Sequence, residues 1–157
     1  MSLDQQLQPL EPVRTPDPAD DRIGARYSRL FGWPVKWRGH HPFLALENGI
    51  CAVTLPKLSA GPILARLAAT GCQGPALVLS THRGPRVAVL AETDGLLPLR
   101  TDLPQDIEVL AWGALLPLPV TVRRTDLATE WLTAPDPQQR WLPSLSAVLS
   151  AVSAGER

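Results

Sequence analysis

The sequence predicts an α+β domain with a mixed or antiparallel sheet covered by helices, and two observations predict it. The first is the stretch from Cys51 to Ala91, in which local signals agree on a strand, a helix and two further strands. The second is that segments with one apolar helical face lie on either side of this unit, from Ala19 to Phe31 and beyond Pro143.

Within the central unit, Gly49 to Leu55 has the apolar character of a short buried strand, with Pro56 as its stop because proline cannot continue a central ladder. Ser59 offers an N-cap, Pro62 suits a first helical turn, and Ile63, Leu64 and Leu67 fall at helical spacing before Gly71. This gives a helix over 60–70 of about three turns. Ala76 to Ser80 and Arg86 to Ala91 are apolar strands separated by the turn-forming cluster Thr81-His82-Arg83-Gly84-Pro85. The three strands at 50–55, 76–80 and 86–91 form the heart of the predicted sheet, with the helix across one face.

The chain has 157 residues, enough for one domain with a proper core. Residues 1–18 hold four prolines among polar residues, Pro9, Pro12, Pro16 and Pro18. Such a segment buries too little surface to offset its ordering entropy, so a disordered tail is expected, followed by a single domain over 19–155. From Ala19 a helix capped by Asp17 or Asp20 places Ile23, Tyr27, Leu30 and Phe31 on one face and ends at Gly32, with Arg22, Arg26 and Arg29 near the other face. Trp33 to Trp37 follows as a strand that must start the sheet or lie at its edge, because it contains Pro34. Arg38 to Pro42 is a turn, and Phe43 to Leu46 a second edge segment.

After the central unit, Glu92 to Gly95 and Asp102 to Gln105 have turn composition. Asp106 to Trp112 restores a strand pattern and leads into an apolar loop, Leu115 to Pro119. Val120, Val122 and Trp131 suggest short strands around the charged turn Arg123 to Asp126. Pro143-Ser144 opens a terminal helix in which Leu145, Val148, Leu149 and Val152 share a face and Gly155 is the stop.

Formal charge is zero at neutral pH, so an electrostatic partner must be sought in local patches. The two cysteines, Cys51 and Cys72, lack a metal-ligand spacing and are expected as reduced thiols. The first residues have neither a basic nor an apolar leader region, which points to the cytoplasm. The uncharged stretch Val109 to Val122 is shorter than the roughly 18 to 20 residues of a membrane span and is broken by prolines. Neighbouring His40 and His41 point apart on an extended backbone and lack a third ligand nearby, so no metal is expected there. The central unit has no carboxylate; its charges are Lys57, Arg66, Arg83 and Arg86, with His82 beside them.

The order of these elements resembles the amino-terminal domain of the bifunctional DNA primase/polymerase family, within the archaeo-eukaryotic primase superfamily. The likeness is carried by Tyr27 to Val35 (YSRLFGWPV), which matches a helix followed by a Gly-Trp-Pro-Val strand, then by Gly49 to Leu67, Leu79 to Leu90, Ile107 to Pro119 and Arg140 to Pro143. Active members of that family carry an Asp-x-Asp pair at the end of the strand that here reads Ala52-Val53-Thr54-Leu55-Pro56. They also carry a Thr-Gly-x-Gly-Gly-x-His turn where this chain has Thr81 to Val87. Thr81 and Gly84 fit, while Val87 stands at the expected place of a nucleotide-contacting histidine, so Thr54 and Val87 are expected near the metal and nucleotide positions. A third acidic position corresponds to Asp106 or Glu108.

The resemblance therefore implies a non-catalytic domain, without metal or cofactor. Single-stranded nucleic acid or a nucleotide phosphate would be bound through Lys57, Arg66, Arg83, Arg86 and His82, with Trp33 or Trp37 available for stacking. The alternative is a protein-interaction or regulatory module that keeps the scaffold, with Leu115 to Pro119 as its contact.

Overall fold

The computed structural model describes residues 26–39, 41–93, 103–104, 106–119, 129–139 and 141–154. The proline-rich tail, the helix start near Ala19, Arg22, His40, the Asp94-Gly95 turn, the Arg123 to Asp126 turn, Arg140 and Gly155 lie outside these residues.

Helical residues 26–31 (α1) end at Gly32, whose positive φ of 71° and N–H bond to the Ser28 carbonyl at 2.8 Å make the stop. Then come β1 (Val35–Arg38), β2 (His41–Ala45), β3 (Ile50–Pro56), α2 (Lys57–Ala69), β4 (Ala76–Thr81) and β5 (Gly84–Glu92). The chain continues through β6 (Glu108–Leu110), β7 (Leu115–Pro117), β8 (Thr129–Thr133) and α3 (Leu145–Ala154). The architecture is α+β with two antiparallel sheets: a five-stranded one in the order β6-β3-β5-β4-β8 and a three-stranded one in the order β1-β2-β7.

The alternation of side chains along β3 and β5 builds two cores, one on each face of the five-stranded sheet. Cys51, Val53 and Leu55 of β3, with Val87, Val89 and Ala91 of β5, face the helices and pack with Ile63 and Leu67 of α2 and Val148, Leu149 and Val152 of α3. Ala52, Ala88, Leu90, Leu77 and Leu79 face the other way, against Trp33, Leu44, Leu46, Leu116 and Leu118. The layers are thus helices, large sheet, small sheet. Because β3, β4 and β5 are covered on both faces, they are continuous apolar runs.

Several expected boundaries move for identifiable reasons. The helix expected over 60–70 starts at Lys57, directly after Pro56, without a side-chain cap; Ser59 is a helical residue, and Pro62 lies inside the helix instead of in its first turn. Its end is as expected: Gly71 at φ 75° donates to the Ala68 carbonyl and Cys72 to the Leu67 carbonyl, the paired bonds of a Schellman ending. Pro56 itself joins β3, in register with Arg86. The supposed edge segment after Trp37 is β2, the middle strand of the small sheet. Leu115 to Pro119 is likewise no open loop, since its first three residues pair with Phe43 to Ala45, and Leu116 and Leu118 are core. Ser144 caps α3 by accepting from the Ala147 N–H at 3.1 Å. Neither cysteine is in a disulfide; Cys51 is buried and Cys72 half-buried. Among the described residues no helix is long and apolar enough to cross a membrane.

Candidate nucleic-acid interface

The β4–β5 hairpin sets the geometry of the cationic end of the large sheet. Thr81 and Gly84 close a two-residue turn over His82-Arg83, with the Thr81 hydroxyl donating to the Gly84 carbonyl at 2.8 Å and accepting from the Arg83 N–H at 3.1 Å. Gly84 holds φ at 96°, which a side chain would resist. His82 and Arg83 are exposed at the tip, and Lys57 is exposed at the same end, one residue past the Pro56–Arg86 pair. Arg83 forms an ion pair with Glu108 of β6 at 3.2 Å, both side chains being about half-exposed (45% and 50%). At that exposure the pair contributes no more than about 1 kcal/mol and leaves the guanidinium open to an anionic ligand.

Arg86 behaves differently. It is 5% exposed, and its guanidinium donates to Thr54 Oγ1 at 3.3 Å and to the Asp106 carbonyl at 2.6 Å. Because β3 lies between β5 and the strand that follows Asp106, the Arg86 side chain crosses β3 beside Thr54. Thr54 and Pro56, two residues apart, project on that same face, and Glu108 lies opposite Thr54 in register.

The register places the two positions singled out in the sequence, Thr54 and Val87, on opposite faces of the sheet. Val87 is fully buried on the helix face, whereas Thr54 faces the small sheet. A shift of one residue along a strand reverses the face, so the β5 residues on the Thr54 side are Ala88, its partner in register, and Arg86, whose guanidinium reaches the Thr54 hydroxyl. Arg66 is also apart from the cationic end: it lies in the last turn of α2, where its Nε donates to the Ala151 carbonyl of α3 at 3.1 Å. Trp33 is no stacking platform, since it is 4% exposed and packs on Tyr27 and Phe31 with ring centroids 5.8 and 4.9 Å away. Trp37 is half-buried on β1.

The structure therefore brings Lys57, His82 and Arg83 to one surface, with Arg86 buried beneath it and Arg66 in another layer. A magnesium pair needs hard carboxylate oxygens. A hydroxyl, a proline and a fixed positive charge at Thr54, Pro56 and Arg86 do not fit that requirement. Among the described residues no group of three or more His, Cys, Asp or Glu could hold a metal.

Sequence reasoning missed two further features. Tyr27, Phe31, Pro119 and Trp131 line a cavity of about 220 Å³, and a larger cleft of about 620 Å³ lies between Glu47–Ile50 and Ala111–Gly113. The signals for the second were the Asn48-Gly49 and Trp112-Gly113 pairs, each set between apolar segments. No family model, curated protein or solved structure matches the chain.

Proposed function

We propose that this chain is a non-catalytic primase/polymerase-like domain that binds single-stranded nucleic acid at the cationic end of its large sheet. The observation that carries the reading is the Arg86 guanidinium lying beside Thr54, on the face where the resemblance puts an acidic pair. A guanidinium stays charged at any ordinary pH and repels divalent cations. In-line phosphoryl transfer depends on metal ions that neutralise charge on the attacking and leaving oxygens, so the chemistry is lost while cations remain for phosphate. Lys57, Arg83 and His82 supply the exposed contacts.

The test is oligonucleotide binding by fluorescence anisotropy across a salt series, in parallel with primer extension in magnesium and manganese. Two phosphate contacts, by Lys57 and Arg83, give a slope of log K against log salt of about −1.4. The double substitution Lys57→Ala, Arg83→Ala should flatten that slope and leave the fold intact, since both positions are exposed. Extension above background would overturn the loss of catalysis. Binding that ignores both salt and the double substitution would remove the nucleic-acid reading.

The second reading, an interaction module, draws support from Leu58, which is 98% exposed next to Lys57 on the first turn of α2. An apolar side chain so placed suits a protein contact better than a phosphate backbone. The Leu115 to Pro119 segment offers less to a partner, since Leu116 and Leu118 are core and its first three residues pair with β2.

A further inference from the structure

Two tight turns stand side by side at the end of β3 remote from Arg86, about 20 Å away along the strand. In Glu47-Asn48-Gly49-Ile50 the central residues have φ of 58° and 89°, and the Ile50 N–H bonds the Glu47 carbonyl at 3.1 Å. In Ala111-Trp112-Gly113-Ala114 they have φ of 52° and 89°. The two are locked together, since the Gly113 N–H bonds the Leu46 carbonyl at 2.8 Å and the Leu46 N–H bonds the Ala114 carbonyl at 2.9 Å. Turns with positive φ at both central positions favour Asn-Gly, which the first has. The second has a tryptophan at the position its neighbour gives to asparagine.

A bulky residue at positive φ is strained, and Trp112 is 80% exposed, so burial does not compensate. Backbone strain of this kind persists at ligand sites, and here the strained residue lines the 620 Å³ cleft together with Glu47, Asn48 and Thr93. Glu47 is offset by Lys36 at 3.5 Å, so the local charge is nearly balanced. Among the described residues the cleft lining holds no cation, while it does hold an indole and a carboxamide. An indole face provides a stacking platform, and the exposed Asn48 carboxamide offers donors and an acceptor together, the pairing that a base edge presents.

We propose that the Trp112 cleft binds an unpaired nucleobase, stacked on the indole and held at its edge by Asn48. The site rests on the nucleic-acid reading above and extends it, giving a strand one base-stacking site in addition to the phosphate contacts at Lys57 and Arg83.

The experiment uses the full chain, with Trp112→Asn and Trp112→Phe, and follows binding of adenosine, cytidine, a mixed-sequence single-stranded oligodeoxynucleotide and a neutral oligosaccharide by indole N–H chemical shifts and calorimetry. Trp112→Asn should raise the melting temperature, since it installs the favoured turn residue, while weakening nucleoside binding about 5- to 100-fold. Trp112→Phe should retain most of the binding. An unchanged or lowered melting temperature in Trp112→Asn would show that the fold does use the ring and would overturn the inference. So would a preference for the oligosaccharide. Oligonucleotide binding that is salt-dependent but indifferent to Trp112→Asn would sink the cleft and leave the phosphate surface standing. Nucleoside binding without salt-dependent oligonucleotide binding would do the reverse, and the absence of both would end both readings.

Discussion

At the scale of single residues, Arg86 decides how the interior of the cationic end is held. Among the described residues its acceptors are neutral oxygens, so its charge is solvated by the Thr54 hydroxyl and the Asp106 carbonyl instead of by an ion pair. Removing the side chain leaves a void next to Leu79 and Ala88 and takes away two charge-assisted hydrogen bonds. Arg86→Ala should therefore cost about 2 to 4 kcal/mol in urea unfolding. Arg86→Met fills much of the volume without a buried charge and should cost less than about 1.5 kcal/mol. Equal, negligible effects of the two would show that the side chain is not fixed where the structure has it. The same reasoning explains why surface cations, and not Arg86, belong in a binding test: loss of binding in an Arg86 variant would be confounded with loss of stability.

Among the elements, α2 offers two glycine substitutions with opposite expected signs. Gly61 is an interior helical residue, and a Cβ there meets nothing within 4 Å, so Gly61→Ala should stabilise by about 0.5 to 1 kcal/mol. Gly74, just beyond the helix, is pressed against Pro143 at the entry to α3, where a Cβ would collide with the ring Cδ and Cγ. Gly74→Ala should destabilise by about 1 to 3 kcal/mol. Thermal melts of both variants test this, and equal shifts would contradict the packing of the Pro143 ring on that backbone.

These elements also show what the sequence could reveal. The β4–β5 hairpin and the end of α2 were readable because each is closed by contacts within a few residues: the Thr81 to Gly84 turn and the bonds of Gly71 and Cys72 back to Ala68 and Leu67. The small sheet was not readable. It joins Phe43 to Pro117, far apart in the chain, and Pro117 and Pro119 suggested a loop where backbone pairing with β2 supplies the order. At the site, the cationic composition was visible but its layering was not. Whether Val87 or Arg86 shares the face of Thr54 depends on a register of period two, which the Thr81 to Pro85 turn composition could not fix to a single residue.

Across the whole molecule, Tyr27 ties the layers together. Its hydroxyl donates to the Pro119 carbonyl, which follows the small sheet, at 3.1 Å, and accepts from the Trp131 indole N–H, on the edge strand of the large sheet, at 3.0 Å. Burial raises the phenol pKa above its ordinary value, while the Trp131 hydrogen bond and the Arg26 charge act in the other direction and only reduce the shift. Below the ordinary tyrosine value of about 10 the phenol is neutral in both folded and unfolded chains, so its contribution to stability is complete. Above that value the unfolded chain loses the proton first and binds fewer protons than the folded one, so stability falls as pH rises towards and through the folded pKa. Ionisation would also remove the proton shared with Pro119. Because the chain has one tyrosine, phenolate absorbance reports this group alone. Its titration midpoint should lie above 10 in the folded protein and return to the ordinary value in denaturant. Tyr27→Phe should lose about 1 to 2 kcal/mol near neutral pH through the two missing hydrogen bonds, yet show a shallower alkaline decline than the parent. An ordinary midpoint in the folded protein, with the same alkaline decline in both proteins, would mean that this hydroxyl does not bridge the two sheets.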